Sequence, residues 1–377
     1  MKLLRLILGI LTLIICNSSI AQFRKYSNEF LNIGAGARGL GMGGAQIVGV
    51  QDGTAGYWNP AALVFVKNHP NLAYMHAEYF AGIGKYDYIG LALPTKNDNK
   101  VLGISLLRFA VDDIPNTLYL VNPDGSLDYN NISTFSSADY ALLLSYSQLI
   151  KKTTTELLSV GGNVKIIRRQ VGSFANAWGF GIDAGVIYHK NKWKFAAVLR
   201  DATTTFNAWS FTFTEREKEV LYLTKNDIPT KSVELTAPRL IIGAGKEFKL
   251  STDINLYAEA NLHLTFDGKR NSLISSNTLN IDPNIGIEAN YQKTIFLRAG
   301  VSNFQQALSD GDTLNQKKVW IYQPSLGAGF KLQNIGGGFG DLGIDYAFTN
   351  LANQSNPLYT HVISLKVDLV NNSKKRK

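Results

Sequence analysis

Cysteine is nearly absent: Cys16 is the single one in 377 residues, and it lies in an N-terminal stretch that reads as a cleavable export signal. Lys2 and Arg5 precede an apolar core from Leu6 to Ile15, and Ser19-Ile20-Ala21 supplies small residues where a signal peptidase reads. Residues 1–21 are therefore expected to leave, with Gln22 first in the mature chain. Lipidation of Cys16 is disfavoured by the bulky Ile15 before it. The mature chain then has no thiol nucleophile, no disulfide and no thiolate metal ligand. No later run of about 18 apolar residues exists, so spanning helices are excluded. Histidine is scarce too. His69, His76, His189, His263 and His361 show no H-E-x-x-H spacing and no pair four residues apart for a helical metal site. Asp112 and Asp113 lack the spacing of a calcium loop and read as a surface turn ended by Pro115. No serine, histidine and carboxylate set assembles, so a lipase is a distant reading and the expectation is a non-enzyme without cofactor or metal.

What the chain does contain is alternation. Ile254, Leu256, Ala258, Ala260, Leu262, Leu264 and Phe266 alternate without a break with Asp253, Asn255, Tyr257, Glu259, Asn261, His263 and Thr265. A period of two sends one set to an apolar phase and the other to water. The run exceeds the ~5 to 6 residues of an ordinary strand and matches the ~9 to 11 of a tilted strand crossing an outer membrane. Similar runs predict strands at 72–79, 86–93, 100–110, 138–148, 157–168, 179–189, 193–200, 239–247, 254–266, 284–292, 295–302, 321–331, 341–349 and 361–370. The fold class is thus all-β: a transmembrane antiparallel barrel of about 14 strands over residues 71–370. Mean hydropathy of −0.04 agrees, because only every second residue faces lipid. The 34 glycines, 17 tyrosines and 19 phenylalanines suit tight turns and aromatic belts, in which Trp178, Trp193 and Trp320 are placed.

Outward faces include Leu158, Val160, Val164 and Ile166; Phe180, Ile182, Ala184, Val186 and Tyr188; and Leu342, Ile344, Tyr346 and Phe348. The polar faces must line the lumen, which assigns Asn163, Lys165, Asp183, Glu259, His263, Glu288, Arg298, Asp345 and Lys366 to it. An arginine and carboxylates on neighbouring strands would offset one another's desolvation there. His263 is expected beside Glu259. Tight links at 95–100, 191–192 and 292–294 alternate with long ones at 111–137, 201–238, 267–283, 303–320 and 350–360. Short turns face the periplasm in outer-membrane barrels, so both termini are expected there. The 201–238 loop, with Phe206, Trp209, Phe211 and Phe213 around a charged centre at 215–219, reads equally as a hairpin extension or a partner-binding surface. The net charge of +9 suggests nucleic acid, but the chain is exported and its basic residues are scattered. The basic residues at 371–377 read as a solvated periplasmic tail.

Residues 22–70 are glycine-rich, lack alternation, and precede the first strand, so they must lie under the barrel or fill it as a hatch. Gly34-Ala35-Gly36-Ala37-Arg38-Gly39 matches G-x-G-x-x-G, yet Gly41, Gly43 and Gly44 follow where a nucleotide-binding helix would be needed. These glycines instead read as close-packing or positive-φ positions against a barrel wall.

The ordered series Arg38, Gly41-Met42-Gly43-Gly44-Ala45, Asp52 and Tyr57-Trp58-Asn59-Pro60-Ala61-Ala62-Leu63 resembles the opening of the PorV and PorQ proteins of Bacteroidetes. These are fourteen-stranded outer-membrane barrels related to the FadL long-chain fatty acid transporters. Asn59-Pro60-Ala61 is similar to the triplet in the hatch of FadL-like barrels, and Phe109 to Thr117 with Pro123-Asp124-Gly125 also resembles the PorV branch. The resemblance implies a non-enzymatic component of the type IX secretion system, in contact with outer-membrane lipid, the large translocon barrel and the C-terminal signal domains of cargo. Contacts are then expected on loops and rim, at Asp112, Asp113, Trp209 and Phe211. The alternative is a FadL-like transporter for a hydrophobic small molecule. The polar inner faces at Asn255, Glu259, Asn261, His263, Glu288 and Asn290 tilt the sequence toward the interaction role.

Overall fold

The computed structural model describes residues 27–122, 124–308, 318–336, 339–350 and 359–370. The predicted signal peptide, Pro123 and the basic tail lie outside the described residues. Seventeen strands form one antiparallel sheet: β1 (Asn71–Tyr79), β2 (Gly84–Pro94), β3 (Lys100–Asn116), β4 (Ser133–Lys152), β5 (Glu156–Val171), β6 (Ala175–Lys190), β7 (Trp193–Arg200), β8 (Thr205–Phe211), β9 (Ser232–Thr236), β10 (Arg239–Lys249), β11 (Ile254–Thr265), β12 (Ile274–Ser275), β13 (Asn280–Tyr291), β14 (Ile295–Leu308), β15 (Lys318–Leu332), β16 (Phe339–Asn350) and β17 (Tyr359–Leu369). Fourteen of them make a closed barrel, β17 returning to pair with β1 from Asn71↔Asp368 to Glu78↔His361. Closure satisfies the backbone donors and acceptors that an open edge would strand in lipid at several kcal/mol each. The remaining three, β8, β9 and β12, are outgrowths of the wall.

Period-two alternation decides which residues face which phase. On β11 Tyr257, Glu259 and Asn261 are buried toward the lumen, whereas Ile254, Ala260 and Leu262 are exposed outward. On β4 Ala141, Leu143, Ser145 and Ser147 are buried, and Leu144, Tyr146 and Ile150 face out. The buried apolar core sits inside the barrel, where residues 27–70 meet the inner wall.

One connection differs from the sequence expectation, and a second takes the first of its two readings. Residues 111–137 are not one long loop: β3 runs to Asn116 and β4 starts at Ser133. A bulge between Val111 and Ile114, with Asp113 at φ +57°, inserts one extra residue and lets pairing resume at Ile114↔Phe135. Asp112 and Asp113 therefore lie within a strand, not in a surface turn. Residues 201–238 form a hairpin extension, because β8 continues the wall against β6 and β9 pairs with β8. Between them stands a helix, Glu215–Leu223, whose start is fixed by a capping box of Thr214 and Glu217. The links at 95–99, 153–155, 191–192, 250–253, 292–294 and 333–338 are all short and share the end where the described chain enters and leaves the barrel. The opposite end carries 117–132, 212–231 and 266–279, together with two tight turns at 80–83 and 172–174, so the alternation of lengths is not strict.

Leu144 lies mid-strand on the lipid face of β4. Leu144→Lys should destabilise the barrel by about 2–4 kcal/mol, whereas Lys218→Ala on the exposed helix should cost under about 0.5 kcal/mol. Denaturant unfolding of the vesicle-inserted protein checks both, and equal costs would mean that this face does not meet lipid.

Candidate functional site: the hatch and the lumen it divides

Residues 27–70 build the site from short elements joined by tight turns: a 3₁₀ turn at Glu29–Asn32, α1 (Ala37–Gly41), α2 (Ala55–Trp58) and a 3₁₀ turn at Pro60–Phe65. None is long enough to be stable alone, so its shape depends on what it touches. Asn59 sets one corner. It stays extended, its carbonyl Oδ1 accepts the Ala61 N–H at 3.0 Å, and its amide donates to the Ile47 carbonyl at 3.0 Å. Pro60 can follow because the first position of a helical turn has no need of an N–H. The corner then docks on β4 to β6: Ser147 and Ser159 both donate to the Ala61 carbonyl, at 3.1 and 3.0 Å. A Cβ on Gly161 would come within 2.5 Å of the Pro60–Ala61 backbone, and one on Gly185 within 2.2 Å of Asn59. The Trp58 indole N–H donates to the Ala35 carbonyl at 2.7 Å and ties α2 to the turn before α1.

The glycine motif docks on the opposite wall. Gly41 lies against Gly327 of β15, and Gly43, at φ +64°, lies against the β14 backbone, where a Cβ would be 2.7 Å from the Val301 nitrogen. Gly44 also has positive φ, and Asn284 donates to the Gly43 carbonyl at 2.8 Å.

Between these contacts runs a ladder of alternating charge. Arg38 of the hatch grips Glu288 with two bonds of 2.8 and 2.9 Å; Arg298 donates to the same carboxylate at 2.6 Å and to Asp345 at 2.7 Å. Lys366 lies 2.8 Å from Asp345 and 3.3 Å from Asp52, which returns the ladder to the hatch. Three cations and three carboxylates balance, and Glu288, Arg298 and Asp345 are all buried. Burial lowers the proton affinity of the Arg38 guanidinium, but Glu288 outweighs this and raises it above the ordinary value. Burial likewise pushes the Asp52 carboxyl up, while Lys366 and the two bonds from Thr54 hold it below its ordinary 3.8.

Of the residues expected in the lumen, Glu288, Arg298, Asp345 and Lys366 thus meet in one ladder. Asp183 stands apart, pairing with Lys165 at 2.8 Å. Glu259 is not engaged by His263. It accepts the Val48 and Gly49 N–H groups at 2.9 Å each and the Tyr257 hydroxyl at 2.8 Å, so it anchors the hatch. His263 lies nearer the long-loop end, on the wall of a larger space. Among the rim candidates, Asp112 pairs with Lys85 at 2.9 Å. Trp209 is half-buried: its N–H donates to Glu234 at 2.9 Å and Arg169 covers its face at 5.2 Å. Phe211 stacks beside it. This pair is half-buried and packs against Glu234 of β9 and Arg169 of β5. Arg200 and Asp52 are two lumen residues outside the set that the sequence assigns there. Arg200 donates to the Leu31 and Tyr57 carbonyls at 3.1 and 3.2 Å. The spacing Lys194, Ala196, Val198, Arg200 placed it on the inner face, whereas nothing in the pattern near Asp52 foretold Lys366.

The hatch stands between two vestibules. The larger, about 670 Å³ at the long-loop end, is lined by Ile33, Leu40, Trp58, Tyr79 and Phe80 together with polar groups that include Arg239, His263, Asp282 and Asn284. The smaller, about 320 Å³ at the short-turn end, is lined by the ladder with Lys194, Glu247, Lys331 and Asp368. Among the described residues no group of three or more His, Cys, Asp and Glu could hold a metal ion.

No protein-family model matches the sequence, and no curated protein matches it. Solved structures do match in fold. The CymD monoaromatic hydrocarbon channel superposes with a TM-score of 0.52 at 13% identity, over 90% of this chain and 98% of that one. The toluene transporter TodX of P. putida gives 0.51 at 11% identity, over 90% and 99%. The toluene transporter TbuX of Ralstonia pickettii gives 0.50 at 12%, over 89% and 98%. The fold is thus the one these hydrocarbon channels and transporters share.

Two outcomes test the hatch. Gly43→Leu should lift the glycine motif from β14, and Glu288→Gln should leave Arg38 and Arg298 facing each other, costing about 3–5 kcal/mol of hatch docking. Both should raise single-channel conductance in planar bilayers, and Lys218→Ala should not; equal conductance in all three would mean that the hatch is not held by these contacts. Acid gives the second outcome. A carboxyl depressed in the docked state stabilises it fully above the ordinary pKa of 3.8 and loses that contribution below it. Conductance should therefore rise on acidification below about pH 4, where the ladder carboxyls take up protons.

Proposed function

We propose that this protein is an outer-membrane transporter for a hydrophobic small molecule, with residues 27–70 as its gate and both termini in the periplasm. The observation that carries this reading is the larger, outer vestibule, whose apolar lining includes Ile33, Leu40 and Trp58 of the hatch itself together with Tyr79 and Phe80. A ligand collected there touches the element that must move, so binding energy can bias the gate. The hydrocarbon channels of the same fold support the transport class. The gathering of short turns at the terminal end supports the orientation.

A second reading, a secretion-system component that binds protein partners at its rim, is favoured by a different observation. The Arg38 to Leu63 series resembles the PorV and PorQ proteins, and the smaller vestibule is charged where a continuous apolar path would be needed.

Uptake of radiolabelled toluene separates the two. Cells producing the protein should take it up faster than a deletion strain, and Leu40→Glu should remove most of the gain. Unchanged uptake, with a giant barrel or exported proteins sharing a C-terminal domain recovered on gentle purification, would replace transport by the secretion reading.

A further inference from the structure

A barrel strand tolerates arginine on its lipid side only near the membrane boundary, where the charge reaches water or a headgroup. Two such arginines stand on the outer wall. On β3 the outward series Leu102, Ile104, Leu106 ends at Arg108, and on β5 Val164 and Ile166 end at Arg168. Cross-strand register lines them up: Arg108↔Tyr140, Tyr140↔Arg168 and Arg168↔Trp178. The row two residues below is wholly apolar, running Leu106↔Leu142, Leu142↔Ile166 and Ile166↔Phe180. Two strand spacings separate the arginines, about 10 Å, so their long side chains can meet at one headgroup.

Their existing partners leave them short of negative charge. Arg168 lies over the Trp178 ring at 5.0 Å and donates to the Asn176 amide oxygen at 2.8 Å, and neither group is anionic. Arg108 is hydrogen-bonded to the neutral Tyr140 side chain and reaches Asp87 only at 3.4 Å, and His76 holds that same carboxylate at 2.7 Å. Two guanidinium forks with unused donors, an amphipathic Tyr and Trp between and beside them, and an exposed apolar wall underneath call for a ligand with an anionic head and hydrocarbon chains.

We propose that Arg108 and Arg168, flanking Tyr140, bind the phosphate headgroup of an anionic membrane lipid whose acyl chains lie along Leu106, Leu142, Ile166 and Phe180. The site rests on the barrel and not on the transport reading. It lies toward the long-loop end of the wall and is separate from both vestibules.

Native mass spectrometry of the full barrel in nonionic detergent, titrated with phosphatidylglycerol or with phosphatidylcholine of the same chains, tests it. The wild type should retain the anionic lipid in preference, by about fivefold per arginine. The Arg108→Gln/Arg168→Gln double variant should lose the preference, Arg168→Gln alone should lose part of it, and Lys246→Gln at the short-turn end should keep it. Heat-modifiable gel mobility confirms that each variant is a folded barrel. Equal retention of the two lipids by the wild type, an undiminished preference in the folded double variant, or displacement of the lipid by millimolar inorganic phosphate alone would overturn the proposal.

Discussion

Everything in this molecule follows from the need to satisfy backbone hydrogen bonds in a phase that offers none. Lipid cannot pair with a strand edge, so the sheet must close, and here closure is made by β17 on β1. Closing fourteen strands fixes a lumen too wide for wall side chains alone to fill. That width creates the second problem, the interior, and residues 27–70 are its solution. They are irregular because they need no edge of their own: their polar groups find Ser147, Ser159, Asn284 and Glu259 on the wall.

The interior charges obey a related constraint. A buried ion is tolerable only with partners, and each member of the Arg38, Glu288, Arg298, Asp345, Lys366 and Asp52 ladder has its counter-charge from a different strand or from the hatch. Such a ladder adds little net stability over an apolar packing of equal volume, but removing one member exposes the rest. It therefore works as a specific latch. The glycine contacts on β14 and β15 complement it by setting distance, since backbone approaches that closely only where no Cβ intervenes.

A barrel, a hatch and two vestibules are compatible with more than one use. Ile33, Leu40 and Trp58 of the hatch contribute to the lining of the larger vestibule, so a ligand bound there would touch the hatch. The vestibule at the short-turn end is lined mainly by the charged ladder, with Tyr257, Phe296 and Phe330 beside it. The outer wall adds a separate contact with the membrane itself.

The sequence alone determined the wall. Strand period two, enforced by lipid on one side and water on the other, placed β7 at Trp193–Arg200 and the faces of β11 correctly, because a one-residue slip would reverse every side chain. It also marked Gly41, Gly43 and Gly44 as close-packing or positive-φ positions, since glycines clustered where no helix can form have few other uses. Only the tertiary structure decided which charges meet. Asp52 and Lys366 are more than 300 positions apart, and no local pattern records that barrel closure brings β17 back to the hatch. The same holds for Glu259, taken by the Val48 and Gly49 backbone instead of by His263, and for Trp209, turned inward onto Arg169 and Glu234. Periodicity states which phase a residue faces; partners within the lumen are set by register and curvature, which are properties of the closed sheet.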